Sequence, residues 1–230
     1  MGIRCLEFNF TICKIKLQEA RIANVTNGKV RCKRPYSLGK RKESSDRRRG
    51  DVLSAARRML ESQGFLNFTL DGLAREAGVT RQTIHNLFGT KGGVIEALFD
   101  QLAIRGGMER MPLVMQQTDV RAMLGGFVEI FTGFWQRDRL LLRRIHGIAA
   151  IDPEFGAAVG ARNQRRKSAA ARVVGLMGAD RAREDAEQRI HSLYALTSFE
   201  FYDALVEACG NAEHAARLLH AIVERAVLTE

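Results

Sequence analysis

Residues Phe68 to Lys91 read FTLDGLAREAGVTRQTIHNLFGTK, the pattern of two short helices joined by a tight turn. Thr69 is suited to N-cap the first, its hydroxyl placed to accept from first-turn N–H groups. Leu70, Leu73, Ala74 and Ala77 recur at i, i+3, i+4 and i+7 and make one apolar face. Gly78 stands where a helix end favours positive φ, and Thr80 caps a second helix after the Gly78-Val79 turn. On that helix Ile84, Leu87 and Phe88 form the apolar side, while Arg81, Gln82, His85 and Asn86 fall opposite as two i, i+4 pairs. Such a helix has the chemistry to meet base edges and phosphates in a DNA major groove. An ordinary helical hairpin with a solvated polar face shares the same periodicity.

The run resembles the helix-turn-helix of the tetracycline-repressor-type (TetR) transcriptional regulators. The matching residues are Thr69, the Leu73-Ala74-Arg75-Glu76-Ala77-Gly78-Val79 run, Thr80, Thr83, Ile84, Phe88 and Thr90-Lys91. The likeness extends upstream through Ala55-Ala56, Leu60 and Gly64-Phe65, and downstream to Leu98. It departs at His85 and Leu87, where the family usually has aromatic residues, at Gly89, usually Pro, and at Gly92 and Gly93, usually helix formers. Two glycines in the first turn of the next helix are expected to weaken it by about 1 kcal/mol each relative to Ala.

The resemblance implies an all-α protein. A three-helix head over residues 44–100 is followed by a helical ligand-binding and dimerisation domain over 101–230. The last two long helices are expected to form a four-helix bundle with those of a second copy. The implied function is a transcriptional regulator, in this family mostly a repressor. Its homodimer would bind a palindromic operator on double-stranded DNA and be released by a small-molecule effector. Arg81, Gln82, His85 and Asn86 are the candidates for base contacts, and Thr69, Thr80, Thr83 and Lys91 for phosphates, aided by helix N-termini.

Charge supports a nucleic-acid partner. Of the formal +10, the whole excess lies before residue 50, where 14 Lys/Arg face 4 Asp/Glu. The cluster Arg47, Arg48 and Arg49 abuts the first helix and is a candidate for phosphate neutralisation, with salt-dependent affinity. Residues 1–43 form a basic extension with a strand-like alternation at Leu6, Phe8, Phe10 and Ile12. A DNA-contacting arm, a disordered tail and a translation start set too far upstream remain open for it. A non-specific or architectural binder acting through this arm is the alternative function.

The first helix is expected over about Ser45 to Gln63, with Val52, Ala56, Met59, Leu60 and Gln63 inward, Gly64 at its end, and Phe65 and Phe68 plugging the head. Thr90 then caps a fourth helix carrying Val94, Ile95, Leu98 and Leu102, closed by Gly106-Gly107 and Pro112.

Beyond residue 113 the pattern stays helical. Phe127, Phe131, Phe134 and Trp135 gather in one segment, as core or as the wall of an apolar cavity. His146 and Tyr194 join them as candidate pocket residues, although His146 reads more naturally as a core histidine. Pro153 opens a long helix flanked by Asp152 and Glu154, which capping explains, and Gly178 closes it. Arg162 to Lys167 reads as a solvated face. Arg183 to Ala208 reads as one helix, and a last helix starts at Asn211. Phe199, Leu205, Leu219, Ile222 and Val223 are the candidate dimer contacts, since wide apolar faces on terminal helices need cover.

Other classes find little support. The cysteines Cys5, Cys13, Cys32 and Cys209 lack metal-site spacing and read as free thiols of a reducing cytoplasm, beside the nucleoid of a bacterial-type cell, with a redox sensor as the alternative. Neither a cofactor nor a metal is expected. No apolar run is long enough for a membrane helix, and the start lacks a continuous apolar signal segment. Motifs of dinucleotide, P-loop, zincin and serine-hydrolase enzymes are missing, so an enzyme is not expected.

Overall fold

A computed structural model describes residues 36–62, 67–177 and 183–228 of the chain. The strand-like stretch 6–12, three of the four cysteines, Gln63, Gly64, Phe65 and Gly178 lie outside the described residues. Eleven α-helices and a 3₁₀ turn make up the described chain: α1 (Tyr36–Glu61), α2 (Leu70–Ala77), α3 (Arg81–Phe88), α4 (Lys91–Arg105), the 3₁₀ turn Met108–Arg110, α5 (Met111–Val114), α6 (Val120–Arg137), α7 (Arg139–Ala149), α8 (Pro153–Leu176), α9 (Arg183–Leu196), α10 (Phe199–Cys209) and α11 (Ala212–Leu228). The class is all-α, as expected. Residues Lys42–Glu230 form one compact unit.

Helix α1 begins at Tyr36, well before the Ser45 expected. The charged residues between Lys40 and Asp46 are tolerable helix formers, and nothing among them breaks a helix. From Val52 on, α1 turns an apolar stripe inward: Val52, Ala55, Ala56 and Leu60 have no exposed surface. Leu73 of α2, Ile84 of α3 and Leu98 of α4 complete the core of the head. Phe68 plugs it, packed edge-on against Phe155 of α8 with ring centroids 5.5 Å apart.

Helix α8 is the spine of the C-terminal half, packing against α4, α7 and α9. It ends at Leu176, with Met177 at its C-cap. The stretch Arg162–Lys167 is a solvated face only in part: Gln164 and Arg165 are exposed, but Arg162 and Arg166 turn inward. Arg166 is only 5% exposed, because it lies three residues before Ala169 and seven after Val159 on the buried stripe of α8. Arg162 sends Nη1 to Asp100 at 2.8 Å and Nη2 to the carboxylate and carbonyl of Glu96, all on α4. A run of charges looks solvated until the neighbouring helix is known to carry the complementary carboxylates.

The single helix expected over 183–208 is two. Thr197 turns its hydroxyl back to Leu193 O at 2.6 Å, and Ser198 N-caps α10 by accepting from Phe201 N–H at 3.2 Å. Carbonyls at the end of α9 are satisfied by distant side chains: Trp135 Nε1 donates to Thr197 O at 3.1 Å, and Arg166 donates to Tyr194 O. Helix ends leave such groups without intrahelical partners, so partners from α6 and α8 make the break possible. Gly210, at φ 64°, closes α10, and Asn211 Oδ1 accepts from His214 N–H at 3.0 Å to start α11.

Candidate nucleic-acid interface

The turn between α2 and α3 is built as its residues demand. Thr69 Oγ1 accepts from Gly72 N–H at 3.1 Å, and Gly78 ends α2 at φ 65°. Thr80 Oγ1 accepts from Thr83 N–H at 3.1 Å and lies 2.9 Å from Thr83 Oγ1. A hydroxyl that accepts from a cap N–H keeps its own proton for another acceptor.

Helix α3 is clamped on one side only. Ile84 is buried, Leu87 and Phe88 are half-buried, and Arg81, Gln82, His85 and Asn86 are exposed. The exposed side is preordered. Arg81 Nη1 reaches Asp71 of α2 at 3.0 Å, and Gln82 Nε2 donates to Asn86 Oδ1 at 2.9 Å. Asp71 drew no notice in the sequence, although its place in the first turn of α2 puts it beside the start of α3.

Besides Arg81, two more of the candidate cations are engaged within the protein. Arg49 donates from Nη1 to Leu87 O at 3.0 Å, and its guanidinium lies 4.5 Å from the Phe88 ring centroid. It thereby closes the C-terminal end of α3. Arg47 and Arg48 are exposed. Lys91 binds Asp152, the N-cap of α8. Burial works against the charge of Asp152, but Lys91 and the N–H groups of Phe155 and Glu154 outweigh it and lower the carboxyl pKa. Beside this pair, Gly92 N–H donates to Glu154 Oε2 at 2.8 Å. Capping was therefore only part of the role of Asp152 and Glu154: they also fasten α8 to the first turn of α4.

The glycines between α3 and α4 have separate reasons. Gly89 sits at φ 75°. A Cβ on Gly93 would stand 2.0 Å from Phe88 O, whereas one on Gly92 would meet nothing closer than 3.5 Å.

The aromatic candidates form one chain of rings. Phe127 and Phe131 are 4.9 Å apart, Phe131 and Trp135 6.0 Å, Phe134 and Trp135 4.7 Å, and Trp135 and Phe199 5.7 Å. His146 lies 4.7 Å from Phe199, and its Nδ1 is 2.7 Å from Glu200 Oε1. That hydrogen bond draws the Glu200 carboxyl down to about 2, against partial burial. Tyr194 joins from the other side, its ring 4.1 Å from the guanidinium carbon of Arg166. Burial pushes the pKa of Arg166 down, countered by Tyr194 and Glu200.

Among the expected dimer contacts, Leu219 and Val223 have no exposed surface, and Phe199 keeps 3%. These three belong to the chain's own core. Leu205 and Ile222 are half-buried, and Leu218, one position from Leu219, is 38% exposed. Alternation on a helix separates Leu218 from Leu219 by about 100°. At Phe199, Leu219 and Val223, though not at Leu205 and Ile222, the choice from apolar spacing alone therefore picked the inner side.

A short capped helix with a clamped apolar side, exposed Arg, Gln, His and Asn, and a helical body behind it define a helix-turn-helix protein. Residues 52–98 match the model described as "Bacterial regulatory proteins, tetR family". Over 93 residues the chain is 32% identical to the HTH-type transcriptional regulator EthR of Mycolicibacterium smegmatis, covering 40% of this chain and 43% of that relative. The crystal structure of a TetR transcription regulator from Haloarcula marismortui superposes with a TM-score of 0.59 at 17% identity, covering 79% of this chain and 97% of the other. A Saccharomonospora viridis protein crystallised in complex with choline gives 0.54 at 18% identity, covering 78% and 96%. Residues 52–98 thus match the DNA-binding part of that family, and the described helices share the fold of TetR regulators of solved structure. Among the described residues no helix is long and apolar enough to cross a membrane.

Proposed function

We propose that the protein is a transcriptional repressor whose homodimer binds a palindromic operator and is released by a small-molecule effector. The observation that carries this reading is the exposed side of α3, where Arg81, Gln82, His85 and Asn86 project from a helix whose other side is anchored by Ile84. These four residues read bases. Thr69, Thr80, Thr83, Arg47 and Arg48 meet phosphates, and Arg49 and Lys91 serve chiefly to brace α3 and α4. Two copies pair through the outer flank of α10 and α11, where Leu205, Leu218 and Ile222 retain exposed surface. Reading helices then enter successive major grooves about 34–36 Å apart.

The effector domain is the helical half, in which the ring chain from Phe127 to Phe199 supplies apolar surface. A protein of the same fold holds choline, which favours a small-molecule role. The effector acts by population shift, binding the conformer that fits DNA less well. The work is binding rather than catalysis, and it takes place in the cytoplasm. Selection from a random DNA pool at about 150 mM salt tests the reading. An enriched palindrome supports it. Retention of DNA without an enriched sequence would instead favour a non-specific binder acting through the basic segment before residue 50.

A further inference from the structure

We propose that Arg166 anchors an anionic effector, a carboxylate carried on an apolar body, at the junction of α8, α9 and α10. The inference rests on the reading of residues 101–230 as the effector domain and names the class of ligand it takes.

Arg166 is 5% exposed. A buried guanidinium is costly unless its charge is paired, yet no carboxylate among the described residues forms an ion pair with it, and Glu200, whose carboxylate is bonded to His146, acts on it only at longer range. Its Nη1 donates to Tyr194 O and lies 3.5 Å from Thr197 Oγ1. The opposite edge is barely used. Nη2 holds one neutral contact, Asn163 Oδ1 at 3.2 Å, and Nε is buried without any partner. Nε and Nη2 point the same way, so together they form the side-on fork that receives both oxygens of a carboxylate. The contrast with Arg162, one turn earlier on α8, is sharp. Arg162 pairs with Glu96 and Asp100. Helix α4 therefore supplies acids to Arg162, while the more deeply buried Arg166 has no ion pair among the described residues.

The surroundings favour an acid with an apolar body over a bare anion. The guanidinium lies over the Tyr194 ring at 4.1 Å. Thr197, which Arg166 touches, also takes the Trp135 indole N–H at 3.1 Å, and Trp135 stacks toward Phe199. An acid bound at Arg166 would meet these rings with its hydrocarbon part. The contacts of Arg166 and Trp135 on Tyr194 and Thr197 hold the α9–α10 break. Binding there would act on the break and on α10, part of the dimer surface proposed above.

Trp135 is the chain's single tryptophan and reports directly on the site. Full-length protein is titrated with benzoate, octanoate and 4-phenylbutyrate, following Trp135 emission, with 4-phenylbutanol and 4-phenylbutylamine as neutral and cationic isosteres. We expect at least one acid to shift the emission saturably and to bind at least ten-fold more tightly than both isosteres. Arg166→Lys keeps the charge but loses the fork, and should weaken that acid ten-fold or more while circular dichroism stays native. Arg166→Gln should abolish the preference for the acid, and a thermal melt checks that it folds. Equal binding of acid and alcohol, no saturable shift from any of the acids, or unchanged acid binding in a folded Arg166→Lys protein would overturn the proposal. DNA release is measured separately. Arg166-dependent acid binding that leaves operator affinity unchanged would keep this site and sink the effector-release reading.

Discussion

The backbone N–H of Gly92 donates to the carboxylate of Glu154 at 2.8 Å, joining residues 62 positions apart at the first turns of α4 and α8. Next to it, Lys91 binds Asp152. The first turns of α4 and α8 are thus joined by two adjacent contacts. Asp152→Asn should separate the two roles of Asp152. Asn still caps α8, because its side-chain oxygen accepts from first-turn N–H groups as Asp does, but it leaves Lys91 without a counter-ion. The carboxyl pKa of Asp152 is lowered in the fold. Its stabilisation is therefore fully present above the unfolded value, about 3.9, and is lost as pH falls through the folded value. Melting curves of Asp152→Asn should lose part of this acid dependence, with a stability loss of about 1 kcal/mol near neutral pH. An unchanged acid limb would remove Asp152 from the fastening.

Gly92 and Gly93 should respond in opposite directions. A Cβ at Gly92 meets nothing closer than 3.5 Å, so Gly92→Ala should stabilise α4 by up to about 1 kcal/mol through helix propensity. A Cβ at Gly93 stands 2.0 Å from the Phe88 carbonyl oxygen, and backbone must move to admit it. Gly93→Ala should destabilise by about 1–3 kcal/mol. Denaturant midpoints of the two variants decide the matter, and equal shifts would contradict it.

Arg81 is exposed, and its ion pair with Asp71 is exposed too, both side chains being about two-thirds accessible. Pairs of this kind contribute about 0–1 kcal/mol, so Arg81→Ala should leave the melting temperature nearly unchanged. On the selected operator it should cost about 1–3 kcal/mol and relax preference at one base position. Asp71→Ala frees the guanidinium from its guide and should weaken site preference more than total affinity. Gel-shift titrations on matched and single-mismatch operators measure both. Full affinity in Arg81→Ala would take Arg81 out of base reading.

Much of this organisation was legible in the sequence because it rests on local rules. Thr69, Gly78 and Thr80 occupy cap positions that depend only on neighbouring backbone, and the apolar spacing of α2 and α3 marks their buried sides. The features that escaped depend on residues far along the chain. The break at Thr197-Ser198 needs Trp135 and Arg166 to satisfy the carbonyls of α9. The half-buried place of Arg162 needs Glu96 and Asp100 on α4. Gly93 looked like a weakness by propensity, and only its approach to Phe88 gives it a reason. The start of α1 was missed for another cause: charged, helix-compatible residues carry no apolar period before Val52.

The same distinction sharpens the test of dimerisation. Leu219 and Val223 are fully buried within the chain, so a charge at either position must be desolvated inside the core. Leu219→Glu should unfold the protein rather than release monomers. Leu218, 38% exposed, and the half-buried Ile222 lie one turn apart on the outer flank of α11. Leu218→Glu combined with Ile222→Glu should keep helical circular dichroism while shifting sedimentation from dimer to monomer. Operator affinity should then fall steeply, since each half-site is held by one head alone. A double variant that still sediments as a dimer would place the interface on another surface. A folded, monomeric Leu219→Glu protein would mean that α11 turns its Leu219 side, rather than its Leu218 side, to the partner.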